Sequence, residues 1–140
     1  MTPAQIKLVQ SGFARVAPNA DTAADLFYTR LFEMAPELRS LFPDDLDPQK
    51  KKLMAMLGTA VAGLAHLETL LPAVEALGRR HASYGVSPAH YAPVGGALLW
   101  TLEQGLGAAF TPEMREAWGA AYTMLARTMI DASGDAPIAA

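Results

Sequence analysis

Apolar residues recur at helical spacing along almost the whole chain, and each run is closed by proline or glycine. Ile6, Val9, Phe13 and Val16 fall three or four apart, the buried face of a first helix. Thr2-Pro3-Ala4-Gln5 starts it, with Thr2 as cap, Pro3 in the first turn and Gln5 reaching back in a capping box, and Pro18-Asn19 ends it. From about Asp21 to Met34, Leu26, Phe27, Tyr28, Leu31 and Phe32 are too many large groups for one narrow stripe, so this helix belongs near the centre. Ala35-Pro36 breaks it, Pro36 to Phe42 reads as one short helical turn, and Pro43 to Pro48 is a loop with Asp47 as N-cap. Leu53, Met56, Leu57, Ala60, Val61 and Leu64 mark a long helix from about Pro48 to His66, whose Gly58, Ala62 and Gly63 invite close approach of another helix. The spacing then predicts a helix from Leu70 to Tyr84 that stops at Gly85 in a left-handed cap. Ser87-Pro88 opens the next, with Val94, Leu98, Leu102 and Leu106 inward and a kink expected at Pro93. Thr111-Pro112-Glu113 opens the last, with Ala117, Trp118, Ala121, Tyr122, Leu125 and Met129 inward. No stretch alternates with period two, so the chain is all-α, with seven or eight helices.

Composition narrows the class of function. A chain of 140 residues fits one domain, taken as residues 1–134 with a disordered tail at 135–140, and buries about two thirds of the surface its unfolded form exposes. Hydrophobic residues make up 51% and charged ones 18%, an apolar balance that calls for something to wrap around, and seven Met suit a partner of awkward outline. The net charge of -3 argues against nucleic acid, and Lys50-Lys51-Lys52 is too short a run to reverse that. With no Cys, thiolate ligation, iron–sulfur clusters, covalent c-type haem and disulfides are excluded. The N-terminus lacks a signal-peptide pattern and no apolar run reaches about 18 residues, so no membrane association is expected and the expected location is cytoplasmic.

The chemistry centres on Leu77-Gly78-Arg79-Arg80-His81-Ala82-Ser83-Tyr84-Gly85-Val86. On a helix His81 shares a face with Val74, Leu77 and Tyr84, which aims an imidazole at apolar surroundings. A lone His of this kind is more often a hydrogen-bonded core residue than a ligand. The stretch, running on through Ser87-Pro88-Ala89-His90-Tyr91, resembles the proximal segment of single-domain bacterial globins and of the haem domain of flavohaemoglobins. Leu26 to Phe32, Ala35 to Phe42 and Gln49 to Met54 are similar to that family's second, third and distal helices, and Ala117-Trp118 to its last.

The resemblance implies a three-over-three globin fold and haem b held by His81, with Phe42 wedged against the porphyrin and Leu53, Leu77, Val86 and Tyr91 around it. It puts Tyr28, Gln49 and Leu53 on the ligand side. Considered singly, Tyr28, Phe42 and Leu53 are core residues and Gln49 is a surface one; only their joint order favours the haem reading. Arg80 and Lys52 are candidate partners for the haem propionates, or simply solvated cations. His66 lies seventeen residues from Gln49, about 25 Å along a helix, so it cannot be a second axial ligand. His90 reads as a cap, and the iron is expected to be five-coordinate.

Three functions compete. The first is reversible binding of O2, CO or NO for transport or storage. The second is nitric oxide dioxygenase or peroxidase-like chemistry, for which a chain ending at Ala140 is expected to need an external reductase. The third is a sensor or interaction module without haem. The expected assembly is a monomer or homodimer. The flavohaemoglobin pattern also carries a Glu on the last helix beside the proximal His and a Tyr matched by Tyr91. Counting from Trp118, the Glu position is Ser133, and Asp131 would face away from it. His81 is therefore expected to bond a backbone carbonyl such as that of Leu77.

Overall fold

The computed structural model describes residues 1–134; the tail expected at 135–140 lies outside them. Six α-helices, α1 (Pro3–Val16), α2 (Ala20–Met34), α3 (Asp47–Gly63), α4 (Leu67–Ser83), α5 (Tyr91–Leu106) and α6 (Pro112–Gly134), are joined by 3-10 turns at Ala17–Asn19, Pro36–Leu41, Pro88–His90 and Gly107–Ala109. Six rather than seven or eight α-helices arise because the expected short helix at Pro36, with proline at either end, winds as a 3-10 segment. No strand occurs among the described residues.

The start signals act as written in the sequence. Gln5 N–H donates to Thr2 Oγ1 at 3.1 Å and Thr2 N–H to Gln5 Oε1 at 3.0 Å, while Met114 N–H donates to Thr111 Oγ1 at 3.2 Å. α3 departs from its expected start: its N-cap is Leu46 rather than Asp47, which is already the first helical residue and whose N–H donates to the Asp45 carboxylate just outside the helix at 3.0 Å. Gly85 takes φ +94, the left-handed stop expected after His81.

Three boundaries differ from the periodicity. α3 ends at Gly63 rather than His66, because Gly63 is pressed against Leu70 and the chain turns there. α4 begins at Leu67, so Pro72 lies inside it, in a second turn, at the loss of one backbone bond. Because Pro88–His90 is a 3-10 turn, Pro93 falls in the first turn of α5, where its missing N–H has no partner to lose, and the reason for a kink disappears.

Packing is closest where glycine meets a neighbour. A Cβ at Gly78 of α4 would overlap the backbone of Met129 on α6, and one at Gly95 of α5 would stand 2.6 Å from the Tyr122 ring. Gly12 of α1 lies under Met114 and Trp118 of α6. Val9, Leu31, Leu64, Ala97, Ala117 and Trp118 form the core between these helices and α2. α3 is different. Of its 17 residues only Val61 is buried, Leu53, Met54 and Leu57 are half-buried, and Met56 is 37% exposed.

Candidate haem site

On α4, the helical repeat puts the Leu77 carbonyl one turn below His81, and His81 Nδ1 lies 2.8 Å from it, the bond expected from the sequence. A carbonyl only accepts, so Nδ1 carries the proton and the lone pair resides on Nε2. The helix ends at once beyond the histidine: Val86 N–H turns back to the His81 carbonyl at 3.1 Å across Gly85. That turn keeps Val86, half-buried, near His81. Tyr84 departs from the helical face the sequence assigned it; it is 67% exposed, its ring centroid 6.4 Å from the imidazole.

Tyr28 is 3% exposed and boxed by rings, with Phe27 at 5.0 Å, Phe42 at 5.5 Å and Phe32 at 5.9 Å between centroids. Phe32 and Phe42 also meet edge to face at 5.5 Å. Phe42 is thus a member of an aromatic cluster that α2 and the Pro36 turn build together. Burial pushes the Tyr28 phenol above its ordinary 10.0, and a hydrogen bond with the Gln49 side chain pulls the other way. Gln49 of α3 thus lies beside the Tyr28 hydroxyl of α2. Tyr28 and Gln49, from two helices, therefore come together as the sequence expected.

Leu53 and Leu57 edge a small apolar cavity of about 20 Å³ shared with Phe27, Leu98 and Trp118. The hydroxyl of Thr101, which also lines it, is already spent on the Ala97 carbonyl at 2.8 Å. Lys52 and Arg80 are both exposed. Lys50, two residues from Lys52, does have acidic partners, lying 2.8 Å from Asp25 and 4.0 Å from Asp47.

Tyr91 is half-buried, and its carbonyl accepts from the Tyr122 hydroxyl at 2.6 Å; burial raises the pKa of both phenols. The sequence marked Tyr122 only as core, because its partner is a backbone carbonyl with no residue signature. Ser133 is half-buried with its hydroxyl on the Ile130 carbonyl at 2.7 Å, and Asp131 is exposed, facing outward as expected. His90 caps, its Nδ1 accepting from Ser87 N–H at 3.0 Å, and His66 is exposed at the start of α4.

These residues fit a haem. His81 offers one unprotonated nitrogen. Among the described residues no group of three or more His, Cys, Asp or Glu is placed to hold a metal ion. Leu53, Leu57, Leu77, Val86 and Phe42 are all only half-buried, and Leu41 and Met56 are exposed, a set of apolar side chains short of a covering partner.

A globin family model matches residues 25–129, and the chain belongs to that family. It is 36% identical over 132 residues to a flavohemoprotein of Rhodopirellula baltica, covering 92% of this chain and 32% of the relative. It is 31% identical over 133 residues to the flavohemoprotein of Bacillus subtilis, covering 93% and 33%. The chain thus spans about a third of the length of these curated relatives. Among solved structures, a bacterial globin from Campylobacter jejuni superposes with TM-score 0.84 at 25% identity, covering 96% of this chain and 97% of that one. An engineered carbene transferase, derived from a protein of Rhodothermus marinus assigned as a nitric oxide dioxygenase, superposes with TM-score 0.85 at 25% identity, covering 96% and 94%. The family is one of haem-iron proteins that bind small gaseous ligands.

Proposed function

We propose that the chain holds haem b through His81 Nε2 and reversibly binds a diatomic ligand, O2 foremost, on the side of Tyr28 and Gln49. When bound, haem would supply the iron that takes the diatomic ligand, and His81 would hold it. The chain's own residues do the rest. The Leu77 carbonyl fixes the His81 tautomer and ring direction, so that Nε2 is aimed before the cofactor arrives. Phe42, Leu53, Leu77 and Val86 supply apolar cover, Tyr91 borders it, and Lys52 and Arg80 are the cations available to propionates. Tyr28 would donate a hydrogen bond to the bound gas, with Gln49 beside the phenol. Once the cofactor covers them, Phe42 and Leu53 would help to exclude water. CO and NO fit the same space.

The observation that carries this reading is the His81–Leu77 bond. A carbonyl draws the Nδ1 proton less strongly than a carboxylate, so Nε2 stays the donor of a neutral imidazole rather than of one approaching imidazolate. That favours holding a ligand over cleaving its bond. Flavohemoproteins and a dioxygenase-type protein are among the relatives, which supports nitric oxide dioxygenation with electrons from a reductase as the second reading. Two measurements test the pair. The purified chain should show a Soret band that shifts with dithionite and CO; no band after expression with ample haem would refute both readings. The resonance Raman iron–histidine stretch of the ferrous form should be low and should rise in Ser133→Glu. A wild-type stretch already in the high, peroxidase-like range would reverse the ranking.

A further inference from the structure

We propose that Arg39 is a positioning residue for the ligand pocket: its guanidinium clamps the backbone of residues 42–44 so that Phe42 stays locked against Tyr28. The proposal rests on the haem reading above. Arg39 lies in the Pro36–Leu41 turn, half-buried, with its guanidinium 5.5 Å over the ring of Phe32. Nη1 donates to the carbonyls of Phe42 at 3.3 Å and Pro43 at 2.9 Å, and Nη2 donates to that of Asp44 at 3.0 Å. One planar group thus holds three successive carbonyls while its face lies on an aromatic of α2.

The segment it holds has little else to define it. Residues 42–46 are neither helix nor strand, and Pro43 has no N–H to bond. Yet Phe42 at its start touches both Tyr28 and Phe32, and Phe32 lies one helical turn beyond Tyr28. Arg39 closes this triangle: it fixes the Phe42 backbone on one side and covers Phe32 on the other. If the clamp is removed, the Phe42 ring gains freedom first, and the Tyr28 hydroxyl loses the wall that keeps it on one heading. Lysine cannot replace it, since a single ammonium cannot span three carbonyls and stack at once.

The test uses the holoprotein with Arg39→Met and Arg39→Lys, alone and combined with Tyr28→Phe. Wild type should give one dominant infrared CO stretching band; both Arg39 variants should add a second band at higher frequency and release O2 several-fold faster. In the Tyr28→Phe background neither variant should change the band or the rate further, the signature of an effect passed through Tyr28. Amide exchange at Asp44–Leu46 should quicken in both. Should Arg39→Met fail to fold, Arg39→Lys, which keeps the charge and stem, carries the same expectations. A CO band and O2 release rate unchanged from wild type would overturn the clamp while leaving haem binding intact. Effects of equal size with and without Tyr28 would overturn it as well. A wild-type chain that takes up no haem would instead overturn the reading on which it rests, and the clamp with it.

Discussion

Tyr28 sits where burial holds it neutral, and a neutral phenol is the form that can donate. A hydrogen bond to a ligand carrying charge contributes about 1.5 to 3 kcal/mol, roughly ten- to over a hundredfold in dissociation rate. Tyr28→Phe is expected to speed O2 release by that order in stopped-flow measurements, more than Gln49→Leu, whose side chain acts partly through the phenol. CO release should change less for both; identical O2 release in all three proteins would mean that neither group meets the ligand. The tyrosines also set an alkaline limit. Tyr28, Tyr91 and Tyr122 all have pKa values raised above 10.0 by burial, so the unfolded chain ionises first. The native state then binds more protons than the unfolded one, and stability falls as pH climbs through 10. Denaturant midpoints should be level from pH 7 to 9 and drop above 10, less steeply in Tyr122→Phe. At this scale Tyr28, Gln49 and His81 were singled out as candidates because each is a distinctive side chain at a motif position. Arg39 and Tyr122 were not, because what they bind is main chain, and a carbonyl leaves no mark in a sequence.

Among the elements, the contact of α4 with α6 matters most for the site, because α4 carries His81. Gly78 stands three residues before the histidine, and its missing Cβ lets the helix lie against the Met129 backbone. Alanine normally stabilises a helix by about 1 kcal/mol over glycine. Here overlap with main chain, which cannot swing aside as a side-chain tip can, outweighs that gain and costs about 1 to 3 kcal/mol. Gly78→Ala should lower the melting temperature by several degrees and loosen haem retention. Gly58→Ala is the control, since its Cβ would meet the Phe13 ring at an ordinary 3.5 Å and the helix gain should survive. If both variants melt alike, the close crossing is not what Gly78 provides. Helix existence and order were readable from apolar spacing and from the Thr2 and Thr111 starts. Boundaries slipped at Gly63, Leu67 and Pro93, where tertiary contact and a 3-10 turn, neither encoded in periodicity, decide where a helix starts or stops.

For the molecule as a whole, burial is divided unevenly. α1, α2, α5 and α6 supply most of the buried core, whereas α3 buries only Val61, and its Leu53, Met54 and Leu57 stop half-covered. A planar apolar group held by His81 would add cover on that side, so haem binding and the ordering of α3 should be one equilibrium. A ligand that binds only the native state stabilises it in proportion to the logarithm of its excess over Kd, about 4 kcal/mol at a thousandfold excess. Removing haem, or replacing His81 with Ala, is therefore expected to lower the melting temperature by ten degrees or more. The loss should also be local. In hydrogen exchange of the haem-free chain, amides of residues 49–60 should exchange fastest among the helices, with the turn at 42–46, while those of α1, α5 and α6 keep their protection. Exchange that rises evenly over all six helices would mean that the cofactor supports the entire core and that α3 is no separate unit. Exchange unchanged anywhere, with His81→Ala melting like wild type, would mean that another group anchors the haem.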